Sequence, residues 1–244
     1  MSRPKRPEVL ALLGQMRTSP LGEHLILGGS SGLYGASETI PALTEDVDLL
    51  IDADWVAAAE AELLSAMRQL GFRHLPGTCT FLLASGLSLD LVGYSQRDSI
   101  DRIGGSASVP VMVFGDLSRL LAIPGASVEL PTGGRALSPA ALAAAKLLTI
   151  RLEKGAKDKI QALLLLDENG GDELFLRDLA RALGAFDRDR IEDALSDARA
   201  ACLSITQDAM RADAESSGYA EMAEAIARGL ALLSNLVEQG GQEP

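Results

Sequence analysis

The sequence contains few of the residues that build a covalent or an aromatic framework. Its 244 residues include two cysteines, Cys79 and Cys202, and aromatic residues make up 4% of the chain. Two cysteines so far apart exclude a disulfide scaffold and a cysteine-rich zinc site, and they are typical of a reducing compartment. With so few aromatic rings, the core must consist mainly of Leu, Ala, Val and Ile.

Long hydrophobic runs are also absent. No segment of about 18 uncharged apolar residues occurs, so the sequence predicts no membrane span. The first residues, MSRPKRPEVLALLGQ, are basic and then apolar, as in a secretory signal. Their apolar run, VLALLG, is shorter than the core of a signal peptide and is interrupted by Gln15. We therefore expect a cytoplasmic protein.

Basic residues are scarce in the last third of the chain. Residues 161–244 carry 17 acidic and 7 basic side chains, which is −10 of the total net charge of −12. Such acidity disfavours broad electrostatic attraction to nucleic acid. The acidic residues belong to amphipathic helical patterns, so this part predicts a surface for packing or oligomerisation.

The pattern of apolar residues changes once along the chain. From Ser138, a natural helix N-cap followed by Pro139, every segment has helical periodicity. The expected fold class is therefore an α/β (α+β) domain with a small mixed sheet over residues 1–135, followed by an all-α helical bundle over residues 136–244.

Within residues 1–135, short apolar strands alternate with helices. Amphipathic spacing predicts helices, alternation and turn residues predict strands, and glycine and proline mark the joints. The predicted elements are helices over 7–17 and 53–71, strands over 24–27 and 44–52, two strands within 72–94, a strand within 107–115, and a loop or edge strand over 120–134.

A glycine-rich segment, GGSSG at residues 28–32, follows the first predicted strand and precedes a predicted short helix. Such a junction presents backbone N–H groups and the positive end of a helix dipole, which suits a phosphate. Glycine permits close approach, and Ser30 and Ser31 can donate hydroxyl hydrogen bonds. The same pattern is also typical of a tight turn without a ligand, and it does not form the G-x-G-x-x-G motif of dinucleotide-binding proteins.

The segment TEDVDLLID, residues 44–52, interleaves acids with strand-forming apolar residues. On a strand, Val47, Leu49 and Ile51 point to one face, and Asp46 and Asp48 point to the other. The apolar set predicts a central strand, where two unpaired acids would be expensive. Two carboxylates at this spacing suit Mg²⁺. The alternative is an edge strand with a solvated acidic face.

A third acid lies in the segment LSLDLVGY, where Asp90 is surrounded by Leu89, Leu91 and Val92 in a predicted strand. If this strand neighbours the first acidic strand, Asp90 joins the other two acids. Two metal ions could then clamp the attacking and leaving oxygens of an in-line phosphoryl displacement. Asp90 would bind the metal that activates the acceptor hydroxyl, or would accept its proton.

Together, LGGSSGLYG, TEDVDLLI and LSLDLV resemble the DNA polymerase beta-like nucleotidyltransferase superfamily. The segment AALAAAKLLTIRLEKGAKDKIQALLLL is similar to the helical region of its AbiEii-type toxins, matched by Lys146, Arg151, Lys157 and Asp158. The resemblance covers residues 24–166. Family members commonly carry an arginine shortly before the threonine of the acidic strand, and this chain has none in ETIPALTED.

The resemblance implies transfer of a nucleoside monophosphate from an NTP, such as ATP, to a hydroxyl, with Mg²⁺ or Mn²⁺ as cofactor and pyrophosphate as leaving group. Asp46, Asp48 and Asp90 would be catalytic and would bind the metal. The residues that the resemblance assigns to the nucleotide are Gly28, Gly29, Ser30, Lys146, Lys157 and Asp158, with Lys146 reaching the phosphates from the helical part. By pattern, Lys157 and Lys159 lie on a solvated face that could line an acceptor groove.

The toxin-like resemblance implies a macromolecular acceptor, either an RNA end such as that of tRNA or a protein, and a role in phage defence with a cognate antitoxin. Two alternatives remain. One is a nucleotidyltransferase for a small molecule of the aminoglycoside type. The other is a catalytically silent module that binds a nucleotide or an antitoxin, which the missing arginine supports and the three acids oppose.

Overall fold

A computed structural model describes residues 4–42, 44–148, 155–211 and 217–240. The chain divides into two compact units, Met1–Ser138 and Pro139–Pro244. In the first unit the strands are β1 Leu25–Leu27, β2 Asp46–Asp52, β3 Phe72–His74, β4 Thr80–Leu83, β5 Ser88–Tyr94, β6 Arg102–Gly105, β7 Pro110–Val113, β8 Ser127–Glu129 and β9 Arg135–Leu137. Its helices are α1 Arg6–Arg17, α2 Leu33–Ala36, α3 Ala53–Gln69 and α4 Gly115–Leu121.

The strands form one mixed, open sheet. The main path runs β3-β4-β5-β2-β1-β9-β8, and the β6–β7 hairpin joins it through β7 beside β5. β2 and β5 are parallel, whereas β1 pairs with β2 and β4 pairs with β5 in antiparallel fashion. The first unit is therefore mixed α/β as predicted, with a sheet of nine strands where a small one was expected.

The acidic strand β2 lies in the middle of the sheet, between β1 and β5. This position confirms the central strand that the apolar alternation predicts and excludes the solvated edge. Val47, Leu49 and Ile51 are fully buried, whereas Asp46 and Asp48 are partly exposed.

One face of the sheet is covered by helices. The odd-numbered residues of β2, with Leu89 and Leu91 of β5, belong to a single apolar cluster with side chains of α1 and α3. The even-numbered residues, which include the acids, point to the opposite face. The cluster contains Val9, Leu13, Leu63, Met67, Val47, Leu49, Ile51, Leu89 and Leu91.

Local signals account for the ends of α3, the helix between β2 and β5. Its N-cap is Asp52, whose Oδ1 accepts the Asp54 N–H at 3.0 Å, as acids at this position commonly do. After the helix, Gly71 has φ +87°, a conformation that residues with a Cβ rarely adopt.

The segment 72–94 contains three strands rather than the predicted two. The Pro76–Gly77 pair, in which Gly77 has φ +75°, separates β3 from β4, and the Ser85–Gly86 turn separates β4 from β5. The sequence reading also missed β6, β9 and α4. The strands β3, β6 and β9 are too short to show an alternation of apolar and polar residues. They form strands because neighbouring strands pair with them.

In the second unit every described element is helical: α5 Pro139–Leu148, α6 Gly155–Asn169, α7 Glu173–Leu183, α8 Arg188–Arg211 and α9 Ser217–Gly240. α6 packs against α5, α8 and α9, and α7 packs against α5. Within the residues described, no helix is at once long and apolar enough to traverse a lipid bilayer.

Because β2 lies in the middle of the sheet, replacing an isoleucine of β2 by alanine should destabilise the protein more than the same replacement on β6. Ile51→Ala removes a side chain with 0% exposure, so we expect the free energy of unfolding to fall by about 2–5 kcal/mol. Ile103→Ala on β6, where the isoleucine is 73% exposed, should change it by less than about 0.5 kcal/mol. Urea unfolding of both variants measures the difference, and equal losses would contradict the assigned core.

Candidate functional site

The three predicted carboxylates lie on one face of neighbouring strands. Asp48 of β2 is the register partner of Asp90 of β5. Because these strands are parallel, paired side chains point to the same side of the sheet. Asp46, two residues before Asp48, pairs with Ser88 on that same face. The structure thus brings the acids of two separate sequence motifs side by side.

The pairing of Asp48 with Asp90 places two acidic side chains next to each other on neighbouring strands. Adjacent strands are separated by about 4.8 Å, and like charges directly opposite each other are destabilising. Two unit charges about 5 Å apart repel by roughly 3 kcal/mol at an effective dielectric constant of about 20. A bound cation removes this repulsion, so the face has a physical preference for positive charge.

The glycine turn lies directly against this pair. The Gly28 N–H donates to the Asp48 carbonyl at 3.0 Å. Gly29 has φ +55°, and a Cβ there would overlap the Asp48 carboxylate, 2.5 Å from its Cγ. A Cβ on Gly28 would lie 2.6 Å from Leu50 Cδ2. The two glycines are therefore required by the close approach of the turn to β2.

Ser31 has a different role from the one expected of it. It is fully buried, its hydroxyl donates to the Gly28 carbonyl at 2.8 Å, and the Asp48 N–H donates to that hydroxyl at 3.0 Å. The expectation that Ser31 donates to a phosphate is wrong, because this hydroxyl holds the turn on the acidic strand. Ser30, next to it, is partly exposed.

The helix that follows the turn, α2, has only four residues. The dipole of a helix is the sum of its aligned peptide dipoles, so a single turn contributes little of the positive end that the sequence reading expected. Any anion at this turn would be bound mainly by backbone N–H groups and neighbouring cations.

Two threonine hydroxyls donate to the carboxylates. Thr44 Oγ1 lies 2.7 Å from Asp46 Oδ1, and Thr80 Oγ1 lies 2.6 Å from Asp90 Oδ1. The sequence reading missed Thr80. The Ser-Gly pair alone does not specify this contact, because a two-residue Ser85–Gly86 turn would place Thr80 opposite Leu91, whereas the loop has three residues, 84–86, and places Thr80 opposite Asp90.

Cys79, which precedes Thr80, is unsuited to bind a metal here. Burial and, to a lesser extent, the charge of Asp90 raise the pKa of its thiol. Since the thiolate is the form that binds metals, a thiol protonated at neutral pH is a poor ligand. The chemistry of this face therefore rests on oxygen atoms.

In the second unit, Lys146 belongs to a buried polar network. Its Nζ donates to Asp158 Oδ1 at 3.0 Å and to Gln161 Oε1 at 2.7 Å. The Lys146 side chain is 4% exposed. The ion pair balances its charge locally, and the assignment of Lys146 and Asp158 to the nucleotide stays a prediction. The same holds for Lys157, which is partly exposed, and Arg151 lies outside the described residues.

Lys159 is buried, not solvated as its pattern indicates. It is 2% exposed, and its Nζ donates to the carbonyls of Lys146 and Leu147 at the end of α5. Burial lowers the pKa of Lys159, and the charges of Asp197 and Asp158 partly offset this effect. The prediction of a solvated face is wrong, because the Lys159 ammonium binds the carbonyl end of α5, and the pattern of its own helix gives no sign of that contact.

The two histidines have structural contacts. His24 stacks on Trp55 with ring centroids 4.1 Å apart, and the His74 Nε2 lies 2.9 Å from the Thr78 carbonyl. Among the residues that the structure describes, no three His, Cys, Asp or Glu side chains are grouped so that they could hold a metal ion, and this includes the predicted set Asp46, Asp48 and Asp90. Additional oxygen ligands would have to come from a substrate or from water.

Comparison with known proteins gives no assignment. No protein-family model matches the chain, and no curated protein matches it significantly.

The contact between the turn and β2 predicts a large effect of Gly29→Ala. We expect it to lower the free energy of unfolding by more than Gly86→Ala does. Gly86, with φ +90°, has open space where a Cβ would lie, so alanine there meets only backbone strain, about 1–2 kcal/mol. At Gly29 the overlap with Asp48 adds to the strain. Urea unfolding compares the two variants, and an equal or smaller loss at Gly29 would contradict the close approach.

Proposed function

We propose that this protein is a divalent-metal-dependent nucleotidyltransferase, which moves a nucleoside monophosphate from an NTP to a hydroxyl on a macromolecule. One observation carries the proposal: Asp48 and Asp90 are paired on adjacent central strands, and the Gly28–Gly29 turn lies against Asp48. This arrangement places two acids and a segment suited to phosphate at one point of the sheet.

The donor set suits Mg²⁺. This ion prefers oxygen ligands and is usually held by one or two carboxylates together with substrate phosphates and water. Asp46, Asp48 and Asp90 would hold the metal, and the triphosphate would complete its coordination. A bound Mg²⁺ would polarise the α-phosphate and favour deprotonation of the acceptor hydroxyl.

The residues of the chain would act by positioning and by compensating charge. The acceptor oxygen forms a bond to the α-phosphorus, the bond from that phosphorus to the β-bridging oxygen breaks, and its electron pair leaves with pyrophosphate. The acceptor proton passes to solvent. Gly29 and Ser30 would present backbone N–H groups to the triphosphate, and Asp90 would hold the metal on the acceptor side. In-line displacement of this type depends mainly on positioning and electrostatics.

The acceptor that we propose is an RNA end or a protein, and the biological role is that of a toxin or phage-defence component. The net charge of −12 opposes binding of long nucleic-acid tracts, which leaves a short RNA end or a protein hydroxyl. The resemblance to AbiEii-type toxins supports the same choice. This role includes a cognate antitoxin as partner.

Label transfer tests the reaction. The protein is incubated with Mg²⁺, total tRNA or cell lysate, and each NTP labelled at the α-phosphate or, separately, at the γ-phosphate. We expect the α-label on a macromolecule and the γ-label in pyrophosphate. Asp48→Asn and Asp90→Asn should each reduce transfer by at least about 100-fold, since each removes a carboxylate from the reacting centre.

The control is Asp52→Asn. Asp52 lies on the same strand and face, but at the end next to α3, where Asn can also serve as N-cap. It should transfer label as the wild type does. Transfer that persists in Asp48→Asn would contradict the proposal. Nucleotide binding without transfer to any acceptor would instead favour the catalytically silent module.

A double variant tests the predicted role of Lys146 in binding the triphosphate. Lys146→Met leaves Asp158 buried without its cation and should lower the free energy of unfolding by about 3–5 kcal/mol. Lys146→Met/Asp158→Leu removes both charges and should recover most of that loss. If Lys146 binds the triphosphate, the double variant should still bind NTP about 10- to 100-fold more weakly than the wild type does. This factor corresponds to the loss of one hydrogen bond from a charged group.

Urea unfolding and NTP titration provide the two measurements. Lys159→Met is the matched control, because this lysine is equally buried on α6 and its Nζ donates to backbone carbonyls. It should lose stability and keep its NTP affinity. A double variant that binds NTP like the wild type would show that Lys146 serves only the buried network.

A further inference from the structure

Thr80 lies beside Asp90, on the side away from Asp48. The strands are ordered β4-β5-β2, and the register pairs Thr80 with Asp90 and Asp90 with Asp48. The three side chains therefore form one row across one face of the sheet. Thr80 Oγ1 donates to Asp90 Oδ1 at 2.6 Å, within the range of strong hydrogen bonds from a hydroxyl to a carboxylate.

The position of the Thr80 hydroxyl is set by the backbone. The Thr80 N–H donates to Thr78 Oγ1 at 3.1 Å, and the Thr80 carbonyl accepts the Leu75 N–H at 3.0 Å. The side chain is branched at Cβ, which restricts its χ1 rotation. The hydroxyl is consequently a fixed donor.

Asp90 needs such a donor because its own torsions do not determine where its oxygens lie. The terminal torsion of an aspartate is broad, and repulsion by Asp48 alone does not select one orientation. The bond from Thr80, on the side away from Asp48, fixes the orientation of the carboxylate. Thr44 makes the corresponding contact with Asp46, at 2.7 Å. Two of the three carboxylates are thus oriented by threonine hydroxyls.

We propose that Thr80 is a positioning residue, which orients Asp90 for binding of a divalent cation. This inference rests on the proposed function, since it takes Asp90 as a metal ligand. Groups that orient metal ligands commonly matter almost as much as the ligands themselves, because a ligand held in the right rotamer loses little freedom when the metal binds.

Mn²⁺ binding to the protein, followed by electron paramagnetic resonance, tests this role without relying on activity. Thr80→Val removes the hydroxyl at nearly constant volume and should weaken Mn²⁺ binding by roughly 10- to 100-fold. Thr80→Ser keeps the hydroxyl and should restore most of the affinity. Thr18→Val removes an exposed threonine hydroxyl that donates to the Gln15 carbonyl at the end of α1, and should bind Mn²⁺ as the wild type does.

Asp90→Asn separates this inference from the proposed function. If Asp90→Asn loses Mn²⁺ binding and Thr80→Val keeps it, the positioning role is overturned and the metal site stands. If Asp90→Asn binds Mn²⁺ like the wild type, Asp90 is no ligand and both proposals fail. Thermal unfolding checks that each variant folds, and Thr80→Ala replaces Thr80→Val if the valine variant does not.

Label transfer provides a second readout. In Thr80→Val the Mg²⁺ concentration for half-maximal transfer should rise by the same factor as the Mn²⁺ dissociation constant, and saturating Mg²⁺ should restore the rate. A loss of rate that saturating Mg²⁺ does not restore would overturn the positioning role, because a residue that only orients a metal ligand acts through metal affinity.

Discussion

The repulsion between Asp48 and Asp90 is the constraint on which the site depends. The two acids are register partners on parallel central strands, so neither can leave the shared face without disrupting the sheet. A folded protein can tolerate such a pair if water screens it, if one acid takes up a proton, or if a cation lies between them. The glycine turn lies against Asp48 and a threonine hydroxyl donates to Asp90, so both carboxylates are held in place; the third possibility is the one that we propose.

The opposite face of the sheet supplies the stability that this arrangement requires. Val47, Leu49 and Ile51 alternate with the acids and are buried against α1 and α3. Burial of each such side chain contributes on the order of 1.5–3 kcal/mol, which together exceeds the roughly 3 kcal/mol of one carboxylate repulsion. The apolar face thus stabilises a strand whose polar face alone would be unfavourable.

Much of this arrangement could be predicted from the sequence. The alternation in TEDVDLLID determines which residues of β2 face the core. The contact of Thr80 with Asp90 depends on a three-residue loop, 84–86, which the Ser-Gly pair alone does not specify. The sequence could not predict that β5 lies beside β2, because this adjacency depends on the path that the chain takes after β2, through α3. The roles of Ser31 and Lys159 could not be predicted, since their partners are backbone groups of other segments.

Register connects the core to the chemistry. Because side chains on a strand alternate, a slip of one residue between β2 and β5 would turn either the acids into the apolar cluster or the apolar residues toward water. The hydrophobic pattern therefore keeps the acids of both strands on one face, and the observed register then pairs Asp48 with Asp90. The turn follows from the same register, since the Gly28 N–H and the Ser31 hydroxyl both bond to the backbone of Asp48.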